Sequence, residues 1–516
     1  MEENKLYKSL IISALVLAGL SLGVFLPQMR VVGYEIKGVD LFADIRFELN
    51  SPDSDHPSKN QPSPILNIAY LPYLQGITAN LLSSGTTSPL ISDHEIASTE
   101  IEKDKMLIYR HIQSDKLNQR SNVELVSGDR LFEDYSPNGK ALNQFFTLLD
   151  ELKQGRGKGR IAMFGDSFIE GDIFCSEVRN SLQDQFGGNG VGFVPITSEV
   201  AQFRNTVGHN FSGFNSYTVV KKDSVDEPFG AGGYCFTAGK ENYLTYSVNP
   251  KYKHLKLFHD VRLFFWSPLD SEFKYRLNDN SDHISRFRAA NQLQQEVFNQ
   301  VSATSVSFRF PASDSIKLYG VSFEDSTGIY IDNFGLRGNS GLALARISDQ
   351  MVRQFNHYQD YKLIILQYGL NVIGPDTKDF SWYLNPMIGV VQKLKRCYPD
   401  ASILLMSVSD RSTKVEGQYQ TMESVPQMID IQRKIAKETQ IAFFNLYAAM
   451  GGKNSMIAYV ENDPPLANKD YTHLNFLGGR KVANVFVTSL INEFKKYNDQ
   501  NKSRPITDNS LVVHTN

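Results

Sequence analysis

Arg160-Ile161-Ala162-Met163-Phe164-Gly165-Asp166-Ser167-Phe168-Ile169-Glu170-Gly171-Asp172 is the stretch on which the fold turns. Residues 160–164 are a short apolar run behind one basic residue, the pattern of a strand buried on both faces. Gly165-Asp166-Ser167 ends the run, and the chain then turns into a helical pattern. A serine at the carboxyl end of a parallel strand stands where open α/β sheets place their ligands. The N-terminus of the following helix favours negative charge developing there.

Apolar runs of the same kind recur at 328–331, 363–366, 403–406 and 441–444. Between and around them, 141–149, 428–436 and 479–494 carry apolar residues at helical spacing. Strands alternating with helices predict an α/β domain with a parallel sheet covered on both faces. Residues 195–330 differ. Period-two runs at 255–258, 262–266, 305–310 and 315–319, separated by Gly, Asn, Asp and Ser turns, predict an antiparallel β-sandwich. The sandwich interrupts the α/β pattern, so it is an insertion within a domain made of 131–194 and 331–496. Its aromatics, Trp266 among them, alternate along strands and read first as core, with sugar stacking as the alternative.

The remainder of the 516-residue chain is of a different kind. Lys5 and Lys8 precede a stretch without charge, Leu10 to Leu26, at the lower edge of what spans a bilayer as a helix. No small-residue cleavage site follows it, so residues 1–30 are expected to be a retained signal anchor with the remainder outside the cytoplasm. Residues 31–130 include the polar, proline-rich SPDSDHPSKNQPSP and are expected to be a stalk and linker, partly disordered. Residues 497–516 are a polar tail. A formal net charge of -3 lacks the basic excess that a nucleic-acid partner requires. Three widely spaced cysteines without C-x-x-C argue against a structural zinc site and a disulfide framework.

A serine nucleophile needs a base, and Asp470-Tyr471-Thr472-His473 supplies an imidazole three residues from a carboxylate. Acyl transfer also needs donors aimed at an oxyanion. Asn333-Phe334-Gly335-Leu336-Arg337-Gly338 and Gly369-Leu370-Asn371 each follow a strand pattern and offer a glycine N–H or an amide N–H₂. Alone, each motif has an ordinary reading as a loop or a solvated surface pair. The four together, in one order, each at a strand end or on the loop before the final helix, do not.

In that order the chain resembles the SGNH/GDSL hydrolases: GDS at 165–167, N-x-G-x-x-G at 333–338, G-x-N at 369–371 and D-x-x-H at 470–473. The resemblance implies a three-layer fold, Ser167 as nucleophile, His473 as base and Asp470 as its orienting carboxylate. It implies an oxyanion hole made by the Ser167 N–H, the Gly338 N–H and the Asn371 side chain. The family's third block commonly continues to Asp, where this chain has Val372. The long first block, the anchor, the stalk and the β insertion resemble the bacterial peptidoglycan O-acetylesterase branch, whose insertion resembles a carbohydrate-binding sandwich. That implies removal of O-acetyl groups from a cell-envelope polysaccharide by a membrane-anchored enzyme, with no metal and no cofactor. A polysaccharide O-acetyltransferase with the same serine and a non-catalytic wall-binding protein are the alternatives. Asp166, Asp172 and Asp410 are further candidates to line the cleft, beside their ordinary roles as caps and helix-dipole partners.

Overall fold

The computed structural model describes residues 130–221, 227–278 and 280–502, together with the backbone of 29–31 and 34–36. The expected anchor stretch at 10–26, nearly all of the stalk and the end of the tail lie outside the described residues. Met29–Val31 and Tyr34–Ile36 pair as a short antiparallel hairpin. Among the described residues no helix is long and apolar enough to cross a membrane.

Six strands make the central sheet: β1 (Phe132–Asp134), β2 (Lys158–Gly165), β3 (Gly328–Gly335), β4 (Tyr361–Gln367), β5 (Ser402–Met406) and β6 (Ala442–Phe444). Their order is β3-β2-β4-β5-β6-β1, parallel throughout except for β1, which runs antiparallel along the edge of β6. Side chains alternate across the pleat. Ile161 and Met163 of β2 therefore enter one core, and Ala162 and Phe164 enter the other. Helices α1 (Asn143–Lys153), α2 (Ile173–Phe186) and α6 (Phe476–Lys502) close the first core. Helices α3 (Asp349–Gln359), α4 (Ser381–Cys397) and α5 (Ser424–Thr439) close the second. Two buried faces explain why these strands read as unbroken apolar runs rather than alternating ones. Each buried Phe or Leu, such as Phe145 and Leu149 of α1, contributes about 1.5–3 kcal/mol of transfer free energy.

α6 runs eight residues beyond the expected end of the last helix and into the segment expected to be polar tail. Tyr497 explains the extension: it packs on Phe146 and Phe494, with ring centroids 5.6 and 6.4 Å away. The three cysteines are buried and unpaired.

Between β2 and β3 the chain forms nine antiparallel strands, from Gly192–Pro195 to Ser313–Glu324. They are one hydrogen-bonded sheet rather than the two of a simple sandwich. Tyr234–Val248 is the fork, pairing at residues 244–247 with Ser305–Arg309 and at 236–238 with Ser313–Glu324. One branch continues through Ser271–Leu277 to His283–Phe287, and the other through Asp260–Ser267 to Ala290–Phe298. The branches curl over each other, so Phe265 of one meets Phe287 of the other at 4.5 Å. Trp266, facing the opposite way, packs partly buried against the α3 side of the central domain. The run at 255–258 is not a strand. Leu255 and Phe258 are buried from a turn, and Phe258 makes only an isolated bridge to Ala303.

Candidate active site

Parallel register brings the motif loops together. β3 lies beside β2 with Gly335 opposite Gly165, and β4 places Gln367 on the other side of Gly165. The Leu336 N–H donates to the Gly165 carbonyl at 2.9 Å, joining the GDS and N-x-G turns. Gly335 admits no side chain, since a Cβ there would lie 2.3 Å from the Glu170 nitrogen. Gly338 is needed for a different reason: its φ of +70° lies in the left-handed region that glycine adopts without strain.

Ser167 opens a single helical turn, Ser167–Glu170, whose cap is Asp166: its carboxylate accepts from the Phe168 N–H at 3.0 Å. The N–H groups of a first turn have no acceptor inside the helix. The loop before α6 carries the other half. Ser167 Oγ stands 3.1 Å from His473 Nε2, and His473 Nδ1 stands 2.7 Å from Asp470 Oδ2. The other oxygen of Asp470 accepts from the backbone N–H groups of Thr472 and His473, both at 3.0 Å. An imidazole donating from Nδ1 to a carboxylate leaves the Nε2 lone pair facing the serine hydroxyl, the tautomer that takes a proton from it. Burial alone would raise the Asp470 pKa. The hydrogen bonds from the His473 side chain and backbone outweigh it and hold the group charged.

Asn371 approaches from the β4 side. Its Nδ2 lies 3.3 Å from both Asp166 Oδ2 and the Asn339 carbonyl, long contacts that orient the amide beside the serine turn. Asp166 is thus tied to the turn and to Asn371, and it is fully buried. Desolvation is the main cause that pushes its pKa up to about 7. Between about pH 4 and about pH 7 the unfolded chain has released this proton while the folded chain keeps it, so stability falls as pH rises through that window. Asp166→Asn retains the cap and removes the ionisation. Its urea midpoint is expected to vary less than that of the wild type across the window, and an unaltered pH slope would refute this.

Like Asp166, Asp172 and Asp410 are buried and do not line an open cleft. Asp172 is buried in the left-handed conformation before α2, bound at both oxygens to Arg179 at 3.0 Å. It also accepts from Thr206 at 2.7 Å and Asn333 at 3.1 Å, with Arg204 at 3.6 Å. Asn333 in turn donates to the Ile169 carbonyl and accepts from the Gly335 N–H at 2.9 Å, so this cluster shapes the N-x-G turn from behind. Asp410, also buried, accepts from Thr421, Ser455 and the Met456 N–H. Both are interior anchors. Glu170, in the same turn as Ser167, is paired with Arg337 at 2.8 Å.

Sequence reasoning missed Arg411. It follows Asp410, and its Nη1 donates to the Leu370 carbonyl at 3.2 Å, next to Asn371. Burial lowers its pKa, and the nearby Asp470 charge opposes that shift. The arginine therefore sits between the G-x-N and D-x-x-H loops. Nothing in its local sequence distinguishes it. Among the described residues no group of three or more His, Cys, Asp or Glu side chains could hold a metal ion.

No protein-family model matches this chain, and no curated protein matches it. Among solved structures, one described as a peptidoglycan O-acetylesterase in action aligns with a TM-score of 0.59 at 21% identity, covering 71% of this chain and 100% of that one. A family two carbohydrate esterase from Cellvibrio japonicus aligns at 0.23 and 9% identity, over 55% and 99% of the two chains. An acetyl xylan esterase, AlAXEase, aligns at 0.24 and 19%, over 31% and 80%. The fold of this chain resembles that of the structure described as a peptidoglycan O-acetylesterase.

Proposed function

We propose that this protein is a serine esterase that removes O-acetyl groups from a cell-envelope polysaccharide, peptidoglycan being the substrate of choice. The observation that carries the esterase reading is the hydrogen-bonded chain Ser167 Oγ, His473 Nε2, His473 Nδ1 and Asp470 Oδ2, at 3.1 and 2.7 Å. The polysaccharide is suggested by the likeness in fold to a structure described as a peptidoglycan O-acetylesterase. The reading places the enzyme outside the cytoplasm, held at a bacterial membrane by residues 1–30, with 195–330 as its inserted β domain.

In the reaction, His473 takes the Ser167 proton as Oγ attacks the ester carbonyl, forming the Oγ–C bond. The oxyanion is met by the N–H groups of Ser167 and Gly338 and by the Asn371 amide. His473⁺ then protonates the sugar oxygen as the C–O bond breaks, leaving an acetyl-enzyme. Water, deprotonated by the same imidazole, releases acetate and restores the serine. Asp470 stabilises the imidazolium and stays ionised throughout.

The test is acetate release from O-acetylated peptidoglycan by the full chain. Activity on a small aryl acetate without release from the polymer would keep the esterase and reject the substrate. Asn371→Ala is expected to raise the barrier by about 3 kcal/mol, on the order of 10² in kcat, as loss of one oxyanion donor does. An unchanged kcat would remove Asn371 from the hole.

A further inference from the structure

Beside the D-x-x-H loop stands a hairpin that the reaction above does not use. Ser412–Val415 pairs with Gln418–Thr421 in register, closed by Glu416 and Gly417, both at positive φ (49° and 86°). That is the tight two-residue turn whose twist suits a rigid hairpin. Its base is held by buried Asp410 through the Thr421 hydroxyl, and by Asn454, whose side chain accepts from the Thr421 N–H at 3.0 Å. Its flank meets the catalytic loop at two points. The Ser412 N–H donates to the Tyr471 carbonyl at 3.0 Å, and the Tyr419 ring lies on the Tyr471 ring, centroids 3.7 Å apart and 14° from parallel.

Tyr471 sits between Asp470 and His473 in the left-handed conformation, at a φ of 53°, unusual for an aromatic residue. The hydrogen bond and the ring stack hold it there. The hairpin thus fixes one wall of the site. Tyr419 does more than a clamp requires, because it remains 40% exposed while the hairpin is otherwise polar apart from Val415. No core demands an aromatic at this position. Lys414 is its cross-strand partner, with Nζ 5.9 Å from the ring centroid, a long donor able to meet a hydroxyl or carboxylate.

An exposed aromatic ring, immobilised by stacking and flanked by a flexible cation, suits the C–H face of a pyranose at little cost in side-chain entropy. We propose that the Tyr419 ring is a stacking subsite for the pyranose next to the one that carries the ester. The hairpin then makes the enzyme prefer a polysaccharide over a small ester. This rests on the esterase reading above.

The experiment compares kcat/KM on O-acetylated peptidoglycan and on a small aryl acetate for wild type, Tyr419→Ala and Tyr419→Phe. Tyr419→Ala is expected to lose about ten-fold more on the polymer than on the aryl acetate, and Tyr419→Phe to stay near wild type because the ring is kept. Equal losses on both substrates would make Tyr419 a support of the catalytic loop and overturn the subsite, as would no loss on either. A second readout needs no turnover. In a Ser167→Ala background, co-sedimentation with insoluble peptidoglycan should weaken by about the same ten-fold on adding Tyr419→Ala. Unchanged sedimentation overturns the subsite. Weakened sedimentation together with no acetate release by wild type would keep the subsite and reject the esterase reading.

Discussion

Ser167→Ala is expected to lower acetate release by at least about 10⁴-fold while leaving the fold intact. The two halves of this expectation have separate physical grounds. Ser167 Oγ makes one side-chain hydrogen bond, to His473 at 3.1 Å, and it sits at a half-buried turn capped by Asp166 rather than by itself. Losing that bond costs about 1 kcal/mol or less, so the melting temperature should move little. Chemistry is another matter, because alanine leaves no atom to form the acyl-enzyme and the route through a covalent intermediate closes. His473→Ala should be nearly as severe, and the double variant hardly worse than either single one, because the residues act as one unit. A fluorophosphonate probe gives an independent reading: wild type should be labelled and Ser167→Ala should not. A Ser167→Ala enzyme with wild-type kcat would move the nucleophile elsewhere and dissolve the proposed reaction.

The parts of this site that were legible from sequence are those carried by short-range pattern. β2, β4 and β5 are buried on both faces, so each is a continuous apolar run and could be placed to within two residues. The Asp470–His473 pair is local, three residues apart on one loop, and its 2.7 Å contact needs no distant partner. Long-range pairing was not legible. The forked sheet depends on Tyr234–Val248 meeting two different strands at its two ends, and a period-two pattern says which face is apolar but not which neighbour is bound. The edge strand β1 is three residues long and is held to β6 across some 300 positions of chain, too short to carry a period. The carboxylates show the same limit. Asp166, Asp172 and Asp410 read alike as candidates to line the cleft, yet all three are buried, because whether a carboxylate faces solvent depends on distant partners such as Arg204, Thr206 and Ser455. Tyr419 and Tyr471 stack across just over fifty residues, another pairing that no local pattern carries.

Asp172→Ala is expected to destabilise the protein by about 3–5 kcal/mol, the usual cost of removing one partner from a buried ion pair. The magnitude follows from what would be left behind. Arg179 and Arg204 are both buried, and this carboxylate binds the first at 3.0 Å on two oxygens and faces the second at 3.6 Å. Burial alone would raise the Asp172 pKa, yet the two guanidinium groups hold it well below the usual carboxylate range. A depressed folded pKa contributes stability that is present above about pH 4 and lost as pH falls further. The variant should therefore show a lower urea midpoint at neutral pH and a weaker loss of stability on acidification than wild type. Asp172→Asn, which keeps acceptor and shape but not charge, should fall between them. The activity should suffer beyond the loss of stability, because Asn333 would lose an acceptor while it holds the Gly335 N–H and, through it, the turn that carries Gly338. A folded Asp172→Ala protein with an unchanged urea midpoint would mean that water satisfies both arginines, and that the cluster behind the N-x-G turn is not what holds it.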